Sequence, residues 1–150
     1  DFKCASKKIN LWNSPDLLII HLKRFINEQG YFGQHGKKNR AQVKTPINGL
    51  DLKPYLSDTI DSSLDIPKYD LFAVVNHSGL MEFGHYYSVV RTDYSTQITN
   101  FYQHYQEIDN ATWNLFNDSK VQQIDINDLE TYTKDAYLLF YRRRNNVSNE

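Results

Sequence analysis

Cysteine is nearly absent: Cys4 is the single one in 150 residues. A lone thiol closes no internal disulfide and builds no cysteine-rich zinc site, which excludes disulfide scaffolds and zinc ribbons. It fits a reducing, intracellular setting, cytoplasm or nucleus. Long apolar runs are missing too. No stretch approaches the roughly 18 residues of a membrane-spanning helix, and no apolar core follows the opening "DFKCASKKIN" as a signal peptide requires. Neither sign of charge dominates. Lys+Arg total 17 and Asp+Glu 18, for a formal net charge of -1. That balance offers no surface to nucleic acid or to an anionic membrane. The basic run "YRRR" at 141–144 reads as a solvated strand exit. The chain opens on Asp1 and not on Met, which reads as a piece of a longer protein.

What is present is globular. Hydrophobic residues make up 40% and charged residues 23%, enough for one domain with a core. The patterning is mostly strand-like. "DLLIIHLKRF" (16–25) is apolar and β-branched behind Pro15, so it predicts a buried strand entered through an extended X-Pro step. The polar, glycine-bearing residues 26–42 predict a mobile loop. "VKTPINGLDLKPYL" predicts a short edge segment and one helical turn, and 58–65 a polar connection. "YDLFAVVNH" (69–77) and "HYYSVVRTD" (85–93) predict an antiparallel pair with a longer-than-minimal loop. Residues 94–111 have no period and read as an inserted arm. "TWNLFND" predicts a short strand. "DINDLETYT" (125–133) predicts a short helix capped at Asp125 or Asn127. "AYLLFYRR" (136–143) predicts a closing strand, and 144–150 a loose tail. The sum is an α+β domain on an antiparallel sheet.

Five histidines are the candidates for chemistry. His35 and His104 lie in polar segments, and His21 reads as a satisfied sheet-face histidine. His77 and His85 flank one loop. As metal ligands they lack a third partner at convincing spacing, so no metal is expected. His85 gains weight from "WNLFNDSKV" downstream, where Asn117 and Asp118 end a strand. A general-base imidazole needs a second group to fix its other ring nitrogen, and Asn or Asp serves. With Asn in that place the usual nucleophile is cysteine, because a thiolate–imidazolium pair needs less help than a serine.

"LIIHLKRF", "YDLFAVVNHSG", "FGHYYSVV", "WNLFNDSKV" and "AYLLFYRR" stand in an order and spacing that resemble the carboxyl-terminal half of a ubiquitin-specific protease catalytic domain. The resemblance covers about residues 5–143. It implies the palm of a papain-like cysteine protease, a deubiquitinase that uses no cofactor and cleaves after ubiquitin's terminal glycine. Ubiquitin or ubiquitinated proteins are the implied partners, together with the amino-terminal half of the same domain. His85 matches the family's histidine and Asn117 the third triad position. Asp118 matches the neighbouring acidic residue. Loops 26–42 and 78–84 match the two blocking loops, and Gly84, Tyr86 and His77 the channel for ubiquitin's tail. Two departures stand out. Glu82 and Phe83 precede Gly84 where the family often has glycines, and the box carrying the nucleophilic cysteine is absent. Cys4, in the lead-in to "LKRF", reads as incidental, so these 150 residues alone are expected to be inactive. A non-catalytic ubiquitin-binding module of the same family is the alternative.

Overall fold

In the computed structural model residues 4–30, 33–57, 68–80, 83–92 and 112–144 are described, those at 27–30 and 33–35 by backbone alone. The segments read as a polar connection (58–65) and as an inserted arm (94–111) lie outside them. Among the described residues one seven-stranded antiparallel sheet dominates. Its order is β1 (Leu17–His21), β9 (Ala136–Arg143), β5 (Lys68–Gly79), β6 (Gly84–Thr92), β7 (Thr112–Asn117) and β8 (Lys120–Ile124), with β4 (Leu50–Asp51) also on β5. The long strand β5 is the spine, because β9 and β6 both pair along it.

Period-two patterning explains which face closes. The row Ile20, Leu139, Val74, Val89, Leu115 crosses five strands in register. Val74 and Val89 are fully buried, as are Leu71, Tyr69 and Trp113 within a point. Leu52 and the short helix α1 (Leu129–Thr133) pack on this face through Leu129. The opposite face is more open at its β1 edge, where Leu17 and Ile19 are over half exposed. Two tyrosines tie outlying loops to the sheet: Tyr69 donates to Pro15 O at 2.6 Å and Tyr141 to Pro46 O at 2.9 Å. Burial pushes the Tyr141 phenol up to about 12.

Three expectations are corrected. Within 26–42, residues 26–30 and 33–38 are not loop: β2 (Phe25–Gly30) and β3 (Gly33–Lys38) form a separate antiparallel hairpin, and 39–42 are irregular. Residues 16–25 are not one strand, because β1 ends at His21 and β2 begins at Phe25. Arg24, between them, is only 4% exposed and bonds the carbonyls of Ala136, Asn39, Ala41 and Lys134, which turns the chain. Arg144 does not belong to a loose tail. Its guanidinium grips the buried Asp70 carboxylate at 2.6 and 3.0 Å. The predicted helix is a 3-10 turn at Ile126–Asp128 running into α1, with Asp125 accepting from Asn127 N at 2.8 Å as its cap.

Candidate active site

His85 sits at the start of β6, opposite Ser78 of β5. The β6–β7 register pairs Ser88 with Phe116, so Asn117 falls beside Tyr87 and shares a face with His85. A two-residue turn then brings the chain back as β8, with Asn117 opposite Lys120. The turn starts at Asp118, whose φ of 53 lies in the left-handed region, a conformation Asp tolerates better than most residues. Two hairpin ends thus deliver the site. His85 Nε2 lies 2.5 Å from Asn117 Oδ1 and 3.9 Å from Asp118 Oδ2. An amide oxygen only accepts, so Nε2 carries the hydrogen, and in the neutral ring Nδ1 keeps the lone pair. Among the described residues nothing bonds Nδ1. The His85 side chain is 44% exposed and Asp118 78%.

The other expected residues lie on the opposite face of the same hairpin. His77 faces Tyr86 across the ladder, with ring centroids 4.6 Å apart in an edge contact. Phe25 meets His77 edge-on at 5.0 Å. His77 is only 3% exposed, and Gly84 lies against its ring so closely that a Cβ would overlap Nε2 and Cε1. His77, expected to line a tail channel, lies beneath Gly84 and reaches no surface there. Gly84 and Tyr86 are exposed, Tyr86 by 53%. Burial, and then the ammonium of Lys38, hold His77 below the usual histidine range, so the ring is neutral at neutral pH. His77 and His85 point to opposite faces and cannot share a metal. Among the described residues no three His, Cys, Asp or Glu side chains gather as a metal site.

Lys38 and Asp135 complete the surroundings and were missed from sequence. Lys38 Nζ donates to His77 O and stands 3.8 Å from Asp135 Oδ1, with its side chain 2% exposed. Nothing local marks Lys38, which follows a polar, glycine-rich stretch. Arg24 had a signal, a charge inside the apolar block "HLKRF". Cys4 is exposed on the irregular leading segment.

A family profile described as ubiquitin carboxyl-terminal hydrolase matches residues 2–141. The chain belongs to that family. Ubiquitin carboxyl-terminal hydrolase 31 of Homo sapiens is 34% identical over 93% of this chain and 10% of its own length. Ubiquitin carboxyl-terminal hydrolase 19 of Rattus norvegicus is 38% identical over 94% of this chain and 9% of its own. The SAGA Ubp8/Sgf11/Sus1/Sgf73 DUB module bound to ubiquitin aldehyde matches with a TM-score of 0.68 and 26% identity, covering 91% of this chain and 26% of that one. The Ubp8-Sgf11-Sgf73-Sus1 SAGA DUB module matches with a TM-score of 0.65 at the same identity of 26%, over 91% of this chain and 26% of that one. The chain therefore spans about a tenth of the first-named relative. Its α+β fold is the palm of the family's papain-like domain, mainly antiparallel sheet with one short helix. A missing nucleophile box accords with only part of that domain being present.

Proposed function

We propose that this chain is the palm of a deubiquitinating cysteine protease that hydrolyses the peptide or isopeptide bond after ubiquitin's terminal glycine. The 2.5 Å bond between His85 and Asn117 carries the reading. It supports a ring fixed through Nε2 with Nδ1 presented as the base. A cysteine from the amino-terminal half of the domain gives its proton to Nδ1, and its thiolate attacks the glycine carbonyl carbon. The tetrahedral oxyanion collapses as the imidazolium returns the proton to the departing amine, leaving a thioester. Water then attacks with His85 again accepting a proton, and free carboxylate and thiol result. Asp118 supports the imidazolium from 3.9 Å. Gly84, bare of a side chain, and Tyr86 form part of the wall along ubiquitin's last residues. No cofactor enters these steps. On this reading the palm takes in about residues 5–143, and the setting is cytoplasmic or nuclear.

The test is release of a fluorophore from ubiquitin's carboxyl terminus by the full-length protein. His85→Ala should abolish it, whereas Cys4→Ala, at an exposed position, should leave it intact. Full turnover in His85→Ala would falsify the assignment.

A further inference from the structure

Strand β9 leaves β5 early. Their pairing ends at Asn76 and Ala136, and one last bond runs from His77 N to Asp135 O at 3.1 Å. Beyond it β5 continues for His77, Ser78 and Gly79 while β9 has turned toward α1. A residue's N–H and C=O share one side of a strand, and every second residue repeats that side. The carbonyls of His77 and Gly79 therefore face the vacated edge; at His77, which is buried, an unpaired carbonyl is costly, while Gly79 is exposed.

Two side chains fill that edge. Lys38, the last residue of β3, donates to His77 O. Arg40 donates to Gly79 O through Nη2 at 3.3 Å. The donors are two residues apart and so are the acceptors, so a pair of cations replaces a strand. The seat of these donors is itself held. Arg24 donates to Asn39 O at 3.1 Å and to Ala41 O at 2.8 Å, one on either side of Arg40, and Asn39 N donates to Arg24 O at 2.6 Å. The residue between the two clasped carbonyls is Ser78, the ladder partner of His85, and its Oγ donates to His85 O at 3.4 Å. His85 arrives on this hairpin, whereas Asn117 arrives on the β7–β8 hairpin. The ladder between β6 and β7 is paired up to Ser88 and Phe116, and the 2.5 Å bond lies beyond that last pair, where the ends of the two hairpins set its spacing.

We propose that Lys38 and Arg40 are positioning residues that clasp the β2–β3 hairpin to the end of β5 and thereby hold His85 against Asn117. The proposal rests on the function proposed above. It makes the seating of the β2–β3 hairpin a condition for an aligned base. Among the described residues Lys38 faces one carboxylate, Asp135, and two other cations, Arg40 and Arg24. Burial outweighs Asp135 and lowers its amine below the usual lysine value, and the bond to His77 O needs only an N–H, which the amine offers in either protonation state.

The experiment uses the full-length protein and two readouts. The first is kcat and KM on a ubiquitin–fluorophore substrate. The second is the pH profile of alkylation of the nucleophilic cysteine by iodoacetamide, which reports the thiolate–imidazolium pair without substrate. Lys38→Met should lower kcat about 10- to 100-fold, the scale of a misplaced group, and move the alkylation profile toward that of an ordinary thiol. Arg40→Gln, at an exposed position, should shift both in the same direction by less. Asp70→Asn, at the far end of β5, is the control for destabilisation. It should lower the melting temperature and leave both readouts in place. Wild-type kcat and profile in Lys38→Met, whatever its melting temperature, overturn the proposal. If Lys38→Met does not fold, unchanged readouts in Arg40→Gln overturn it. Loss in His85→Ala alongside an intact Lys38→Met sinks the clasp alone. An active His85→Ala sinks the function reading and the clasp with it.

Discussion

Asn117 holds His85 by Nε2, at 2.5 Å, and so decides which ring nitrogen is left as a base. On the proposed mechanism His85 is the base and also activates the thiol, so removing it should cost about 100- to 10,000-fold or more in kcat/KM. Asn117→Ala leaves the base with a loosely held ring. Its loss should be smaller and should fall mainly on kcat. Steady-state kinetics of the two single variants check the order, and an Asn117→Ala loss equal to that of His85→Ala would contradict it.

Gly84 admits no side chain. A Cβ there overlaps the His77 ring and stands 2.8 Å from Ser78 O. His77 is enclosed by Phe25, Tyr86 and Tyr137 and has little room to retreat. Gly84→Ala should therefore destabilise the fold by about 1–3 kcal/mol, the usual scale of overpacking. It should also abolish turnover, because His85 is the next residue. Gly84→Ala combined with His77→Ala should recover part of the stability, as a thermal melt would reveal.

Acid should weaken this domain through His77. Its folded pKa is lowered, first by burial and then by Lys38, with Asp135 opposing. Among the described residues the rings of Phe25, Tyr86 and Tyr137 pack around it. Between that lowered value and the ordinary 6.5 the unfolded chain binds a proton that the folded chain refuses. Stability thus rises with pH through the window, is lost as pH falls through it, and stops changing on this account below the folded value. His77→Phe should flatten the melting temperature against pH in that window. A variant as acid-sensitive as the parent would show that another group controls the slope.

How much of this was legible depended on period and locality. "AYLLFYRR" is β9 residue for residue, and β5 and β6 lie within two residues of their expected ends, because alternating or continuous apolar runs state their own pairing. β2 and β3 carry "FINEQG" and "GQHGKK", which lack that alternation; backbone pairing alone makes them strands, so a loop was expected there. β8 is an edge strand whose only apolar members are Val121 and Ile124, too few to announce it. His85 and Asn117 could be paired from motif order. The Lys38 contact to the His77 carbonyl could not, since it joins residues 39 apart through a main-chain atom that no side-chain pattern records. Arg144 was misjudged for a similar reason, its partner Asp70 lying 74 residues away.

That pair gives a prediction free of the active site. Asp70 is 1% exposed, takes both arms of Arg144 and also accepts from Gly49 N at 2.8 Å. Breaking such a pair strands a buried group, and Asp70→Asn should cost about 3 kcal/mol. Asp70 and Ser78 are eight residues apart on β5, roughly 26 Å at about 3.3 Å per residue. Chemical denaturation should therefore register the change while kcat per folded molecule does not.

Asp118 combines two properties that substitutions can separate. Its φ of 53 is a strained conformation for any residue with a Cβ, and its carboxylate stands 3.9 Å from His85 Nε2. Asp118→Gly removes the strain and the charge together, and should stabilise the β7–β8 turn by up to about 1 kcal/mol. Asp118→Asn keeps a side chain that tolerates the left-handed region and removes the charge alone. If the carboxylate supports the imidazolium, both variants should lose turnover to a similar extent while their melting temperatures move apart. The parent's rate should also fall with added salt more than theirs, because the Asp118 side chain is 78% exposed and its field is screened. If the residue serves only the turn, Asp118→Asn should match the parent and Asp118→Gly should equal or exceed it. The double variant Asn117→Ala with Asp118→Asn then asks whether the two act as one unit. We expect its loss to approach the product of the single losses, since Asn117 orients the ring through a hydrogen bond and Asp118 acts on its charge from farther away. A double variant no worse than Asn117→Ala alone would mean that Asp118 works entirely through Asn117.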